Sequence, residues 1–183
     1  MIFIGLGANL PTEIYGPPRA TLGGALHALS QAEIRVVRRA PWYESAPIPV
    51  SDDPWYVNGV AEIETELNPH QLIAKLLEIE AMVGRTRSVA NAPRVLDLDL
   101  LAYDDIVTSG HGEGGINASV PHPRMTGRAF VMLPLADLDP GWIHPENQMP
   151  ISDIISRLPA GQITRKLIDA AGYEGTEWPG TDI

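Results

Sequence analysis

A chain of 183 residues with 44 % hydrophobic and 20 % charged side chains has the balance of one globular domain able to bury a core unaided. The absence of cysteine excludes disulfides, thiolate metal sites and a cysteine nucleophile, and a net charge of −10 argues against general nucleic-acid binding. No apolar run approaches the ~20 residues that span a bilayer. Met1 to Gly5 also lacks the basic and long apolar regions of a signal peptide, so a cytoplasmic protein without membrane or nucleic-acid partners is expected.

Ile2 to Gly7 reads as a short buried strand that runs into a tight turn at Gly7-Ala8-Asn9-Leu10. The turn lacks the third glycine of a dinucleotide fingerprint and the lysine of a Walker loop, so it carries little weight as a phosphate cradle. After Pro17-Pro18 a helix is predicted from Arg19 to Ser30, with Leu22, Ala25, Leu26 and Leu29 as its apolar stripe. Ile34 to Tyr43, rich in β-formers, is predicted as the second strand. The prolines of the following segment, Ser45 to Pro54, make it a stiff extended loop.

Trp55 to Thr65 resumes strand character, with Tyr56 and Asn58 on one face. An aromatic ring and an amide at i and i+2 suit a flat heterocycle, offering a stacking surface and an in-plane hydrogen-bond partner; an ordinary strand surface is the alternative. Asn68-Pro69-His70-Gln71 is a helix start, with Asn as N-cap, Pro at the first helical position and Gln three residues after the cap. That helix runs to about Val83, and Glu80 falls on its apolar stripe, where a carboxylate either emerges at the helix end or serves a site.

The segment from Asn91 to Asp105 is the most informative. Between Val95 and Leu101, acid and leucine alternate with period two, the pattern of a strand. Asp97 and Asp99 then share one face about 7 Å apart, and Leu96, Leu98 and Leu100 take the other. Two carboxylates on one face suit Mg²⁺, which takes one or two carboxylates together with substrate phosphates. A solvated strand face is the alternative. Five arginines, Arg85, Arg87, Arg94, Arg124 and Arg128, crowd around this strand in an otherwise acidic chain, which suggests a small polyanionic ligand.

Further on, Ile106 to Thr108 is a candidate short strand, and Ser109 to Asn117, with its four glycines, a flexible loop. Val120 to Met125 is an extended turn. Helices are predicted from Arg128 to Leu138 and from Ser152 to Leu158, and a last strand from Ile163 to Ile168. One domain over 1–170 and a glycine-rich acidic tail over 171–183 follow. The order β-α-β-β-α-β up to position 103 is the split βαβ of an α+β, ferredoxin-like sandwich, with C-terminal additions. Two helices should cover one face of the sheet and leave the other to loops and ligand.

These motifs resemble the 6-hydroxymethyl-7,8-dihydropterin pyrophosphokinase family. The likeness rests chiefly on Ala92-Pro93-Arg94-Val95-Leu96-Asp97-Leu98-Asp99-Leu100-Leu101, which is far more specific than a bare D-x-D. Gly5-Leu6-Gly7-Ala8-Asn9-Leu10, Tyr56-Val57-Asn58, Glu80 with Gly84 to Arg87, Val120-Pro121-His122 and Arg128-Ala129-Phe130 follow in order. The resemblance implies transfer of the β,γ-diphosphate of ATP to the hydroxymethyl group of a reduced pterin, with two Mg²⁺ ions on Asp97 and Asp99. It implies pterin contacts from Ser45, Ala46, Ile48, Tyr56, Asn58 and Phe130. It also implies nucleotide and phosphate contacts from Glu80, Arg85, Arg87, Arg94, Leu100, His122 and Arg128, with Arg85, Arg87 and Arg94 acting in catalysis beside the two aspartates. Asn91 stands where some members carry a tryptophan over the site. Two other classes compete: a D-x-D glycosyltransferase, which needs a larger nucleotide-binding fold, and a non-catalytic ferredoxin-like binding module, which needs no convergence of Tyr56, Arg94, His122 and Phe130.

Overall fold

The computed structural model describes residues 1–49, 51–83, 95–110 and 118–167. Its elements run β1 (Ile2–Ala8), α1 (Pro18–Gln31), β2 (Arg35–Arg39), β3 (Tyr43–Ser45), β4 (Tyr56–Glu64), α2 (Pro69–Met82), β5 (Asp97–Tyr103), α3 (Ala129–Leu138), α4 (Ile151–Ser156) and β6 (Thr164–Lys166). The sheet order is β5-β1-β4-β3-β6, with β2 also pairing β4, and the described ladders are antiparallel. This is the ferredoxin-like order expected from the sequence, extended by β6 at the far edge. No helix among the described residues is long and apolar enough to cross a membrane.

Local chemistry sets the helices. The N-cap of α2 is a capping box: Asn68 accepts the Gln71 N–H at 3.0 Å while the Gln71 side chain accepts the Asn68 N–H at 3.0 Å. That reciprocal pair satisfies two of the N–H groups a helix start leaves without partners. Helices α1 and α2 then bury Leu22, Leu26, Leu72 and Leu76 against Ile4, Leu6, Ile63, Leu98 and Leu100 of the sheet.

Three expectations need correction. The predicted strand 34–43 is two strands, β2 and β3, separated by a stretch containing Pro41, which has no N–H to give a ladder. The Ala40 N–H still reaches the Val60 carbonyl at 2.8 Å, so the break bends the edge without detaching it. Ile106 to Thr108 makes no strand, only an isolated bridge between Thr108 and Val120. Nor is the second sheet face left to loops alone: α3 and α4 bury Met132, Leu135 and Ile154 against Phe3, Val60 and Leu101. The ends of β1, β4 and β5 carrying Gly7, Asn58 and Asp97 contribute no residue to that second apolar cluster.

Candidate active site

Period two in β5 works as the alternation demands. Leu96, Leu98 and Leu100 are buried against α1 and α2, while Leu101 belongs to the α3 side. Asp97 and Asp99 therefore share the α3-side face. On the neighbouring strand, Gly7 lies opposite Asp97 and Gly5 opposite Asp99, and Gly7 is also opposite Asn58 of β4. At a strand spacing of about 4.8 Å, roughly 10 Å separates the Asp97 and Asn58 backbones. Only the backbone of Gly7 stands between them.

These two glycines are the site feature missed in the sequence. They sit inside a strand that continues to Ala8, not in a turn. A Cβ on Gly7 would lie 3.3 Å from Asn58 Oδ1, and one on Gly5 would touch the Leu101 side chain at 3.4 Å. Both bare positions therefore face the aspartates' side of the sheet and leave a flat floor. Two glycines at i and i+2 of a strand are a legible sign of this, because they strip one face of side chains.

Asn58 and Ser45, both buried, form the wall across that floor: Asn58 Nδ2 donates to Ser45 Oγ at 2.8 Å. The next residue, Ala46, donates its N–H to the Ile163 carbonyl at 3.0 Å, while Ile48 is exposed. The far end of the proline-rich loop is tied down by Asn9, whose Nδ2 donates to the Pro54 carbonyl at 3.0 Å. Tyr56 opens β4 on the face of Asn58 and Val60. Phe130 is the second residue of α3 and packs, partly buried, on the α3–α4 core.

Above Asp99 sit a guanidinium and an imidazole. Arg128 Nη1 is 3.6 Å and His122 Nε2 is 3.9 Å from Asp99 Oδ2, ion-pair distances longer than hydrogen bonds. The Arg128 guanidinium also lies 5.5 Å from the centre of the Phe130 ring. His122 is held by its own N–H, which donates to the Leu101 carbonyl at 2.8 Å, and by Nδ1, which accepts the Arg124 N–H at 3.1 Å. With Nδ1 accepting, the neutral ring carries its proton on Nε2, facing Asp99. Burial pushes the His122 pKa below its ordinary value; Asp99 pulls it upward, and Arg128 and Arg124 push it down again.

Two of the residues expected to meet the nucleotide have buried side chains. Glu80 is 2 % exposed and its Oε1 accepts the Leu98 N–H at 2.7 Å, so it holds the outer edge of β5. The Leu100 side chain is buried on the face opposite the aspartates, and β5 is an edge strand of the sheet. Arg85, Arg87, Arg94 and Asn91, most of the 109–117 loop and the 171–183 tail lie outside the described residues.

The donor set fits Mg²⁺. Among the described residues no three carboxylates or histidines gather to cage a metal. A pair of same-face aspartates supplies only part of an octahedral shell, and Mg²⁺ characteristically completes such a shell with phosphate oxygens and water.

Residues 3–140 match the family model for 7,8-dihydro-6-hydroxymethylpterin-pyrophosphokinase. The chain is 36 % identical over 177 residues to a 2-amino-4-hydroxy-6-hydroxymethyldihydropteridine pyrophosphokinase of Pseudomonas aeruginosa, covering 96 % of this chain and 94 % of that one. It is 38 % identical over 139 residues to the enzyme of that name from Methylorubrum extorquens, covering 75 % and 82 % of the two chains. A Plasmodium falciparum HPPK-DHPS structure has a similar fold at TM-score 0.68 and 14 % identity; the match takes in 85 % of this chain and 43 % of that one. The chain belongs to the 7,8-dihydro-6-hydroxymethylpterin-pyrophosphokinase family and is a pyrophosphokinase of folate biosynthesis.

Proposed function

We propose that the floor formed by Gly5 and Gly7 is the reaction centre, with the pterin on the Asn58 side and the ATP phosphates over Asp97 and Asp99. The observation that carries this is the register Asp97–Gly7–Asn58, which sets two carboxylates and a buried amide on either side of a bare strand. Asn58 and Ser45 read the edge of the pterin ring, Tyr56 and Phe130 take its faces, and the segment through Ala46 and Ile48 covers it. Asp97 and Asp99 would hold two Mg²⁺ ions, which when bound would neutralise the triphosphate and help to align its β-phosphorus.

In the transfer, the pterin hydroxymethyl oxygen forms a bond to the β-phosphorus and the bond from that phosphorus to the α-phosphate oxygen breaks. AMP leaves with that oxygen, and the hydroxyl proton passes to water. Such a reaction asks for alignment and charge compensation more than for covalent help from the protein. Arg128 and the Nε2–H of His122 supply donors over Asp99, where charge grows on the departing group. Arg85, Arg87 and Arg94 belong to the same phosphate-binding set by sequence.

The test is to incubate the protein with Mg²⁺, ATP and the reduced pterin alcohol and to separate the nucleotides. Pterin-dependent AMP with the pterin diphosphate is the expected result. Formation of ADP, or no turnover, would overturn the proposal.

A further inference from the structure

Residues 162–164, which lead into the first residue of β6, contact both the Arg128–Phe130 and the Ser45–Ala46 sides of the candidate pterin site. Gln162 Oε1 accepts the Ala129 N–H at 2.9 Å, and its Nε2 donates to the Gly127 carbonyl at 2.9 Å and to the Pro159 carbonyl at 3.4 Å. The first two bonds bracket Arg128. One residue on, the Ile163 carbonyl accepts the Ala46 N–H, and Thr164 pairs with Ser45. A single short stretch thus grips the Arg128–Phe130 segment by a side chain and the Ser45–Ala46 segment by its main chain.

Arg128 has particular need of such a grip. It is an extended residue, φ −115° and ψ 110°, at the junction between a 3-10 turn (Met125–Gly127) and α3, and its own side chain does not cap the helix. The Ala129 N–H is among the donors that the helix start leaves without an intrahelical partner, and Gln162 supplies one from 33 residues away. A rotation of this junction would swing the long Arg128 side chain away from Asp99 and shift Phe130 with it.

We propose that Gln162 is a positioning residue for the diphosphate transfer: its carboxamide fixes the Arg128–Phe130 junction against the Ser45–Ala46 wall. The inference rests on the site reading above. A cap that merely stabilised α3 would change the melting temperature and leave the rate constants alone. A positioning clasp must change kcat and the pterin KM well below the melting temperature, because displacements of about 1 Å cost on the order of a hundredfold in rate.

The experiment uses the full chain with ATP, Mg²⁺ and the reduced pterin alcohol, and compares Gln162→Leu, which removes all three side-chain bonds, with Gln162→Glu, which keeps the acceptor for Ala129 and loses the donors to Gly127 and Pro159. Gln162→Leu is expected to lower kcat/KM for the pterin by roughly ten- to a hundredfold, and Gln162→Glu to fall between it and wild type. Gln162→Ala, which lets water reach both backbone groups, takes the leucine variant's place if that variant does not fold. A leucine or alanine variant within about twofold of wild type, or a glutamate variant no better than it, overturns the proposal. Arg128→Ala run alongside separates the two levels. Wild-type rates in Arg128→Ala refute the site reading itself, whereas a large loss there beside unchanged Gln162 variants refutes only the clasp.

Discussion

Replacing Gly7 by alanine tests the idea that the site is shaped by a missing side chain. Gly7 is not among the glycines with a left-handed backbone, so alanine fits its conformation without strain. Removing glycine from a strand interior should itself stabilise the fold by roughly 0.5–1 kcal/mol. The added methyl, however, would stand 3.3 Å from Asn58 Oδ1, tighter than an ordinary contact. Asn58 has little room to yield, since its Nδ2 is bonded to Ser45 and the side chain is buried. Either the amide rotates out of its place, or the methyl occupies the floor proposed for the pterin. Losing a buried hydrogen-bond partner costs about 1–3 kcal/mol, which corresponds to about five- to a hundredfold in pterin affinity. Gly5→Ala reports on the other half of the floor: its Cβ meets the Leu101 side chain at ordinary contact distance and leaves the Asn58 amide undisturbed, so pterin affinity should fall less than in Gly7→Ala. Equilibrium binding of the reduced pterin, followed by fluorescence, reads both variants, with thermal melts in parallel. A Gly7→Ala protein that melts no lower than wild type but binds pterin weakly fits the argument. The same protein binding pterin with wild-type affinity would refute it.

The other predictions probe the surrounding parts. Asp97→Asn and Asp99→Asn should each lower kcat by at least about a hundredfold while leaving the melt nearly unchanged; a near-normal rate in either removes it from the metal pair. Glu80→Ala should destabilise the protein by about 1–3 kcal/mol, because it deprives the Leu98 N–H of a buried acceptor. Glu80→Gln keeps an acceptor oxygen and should leave the ATP KM unchanged; a large rise in that KM would show that the carboxylate does meet the nucleotide. His144 is buried, and its Nδ1 accepts the Glu146 N–H at 3.3 Å and the Asn147 N–H at 3.4 Å. Burial, opposed by Glu146, holds its pKa below the ordinary 6.5, so on acidification the unfolded chain takes up the proton first. The stability it contributes is complete above 6.5 and is lost as the pH falls from there toward the folded value. Melts between about pH 7.5 and about pH 5 should fall more steeply for wild type than for His144→Gln, and equal slopes would contradict the assignment.

What could be read from the chain follows from the range of the forces involved. The Asn68 capping box is local, three residues end to end, and forms as its spacing dictates. The Asp97/Asp99 face is legible because burying Leu98 and Leu100 pins the register of β5, and a one-residue slip would turn the leucines outward. Glu80 was half legible: its place on the apolar stripe announced an unusual carboxylate, but its partner, the Leu98 N–H, lies 18 residues away across a turn of the fold. The Gln162 clasp left no local signature at all, since its partners are separated from it by 33 and 35 residues.

Gly5 and Gly7 failed to register for a different reason. Glycine is ordinarily read as punctuation, a place where the chain turns, yet here the pair marks a strand face on which the chain must present nothing. A side chain that contributes by its absence shows only as the i, i+2 spacing of the pair, which can be read once both glycines are placed inside a strand. Only the strands on either side supply its meaning, by placing Asp97 across from Gly7 on one flank and Asn58 on the other. The aspartates are therefore one side of an arrangement whose geometry depends equally on the bare strand beside them. An aspartate pair with a side chain at position 7 would keep its carboxylates, but the floor between them and Asn58 would be occupied.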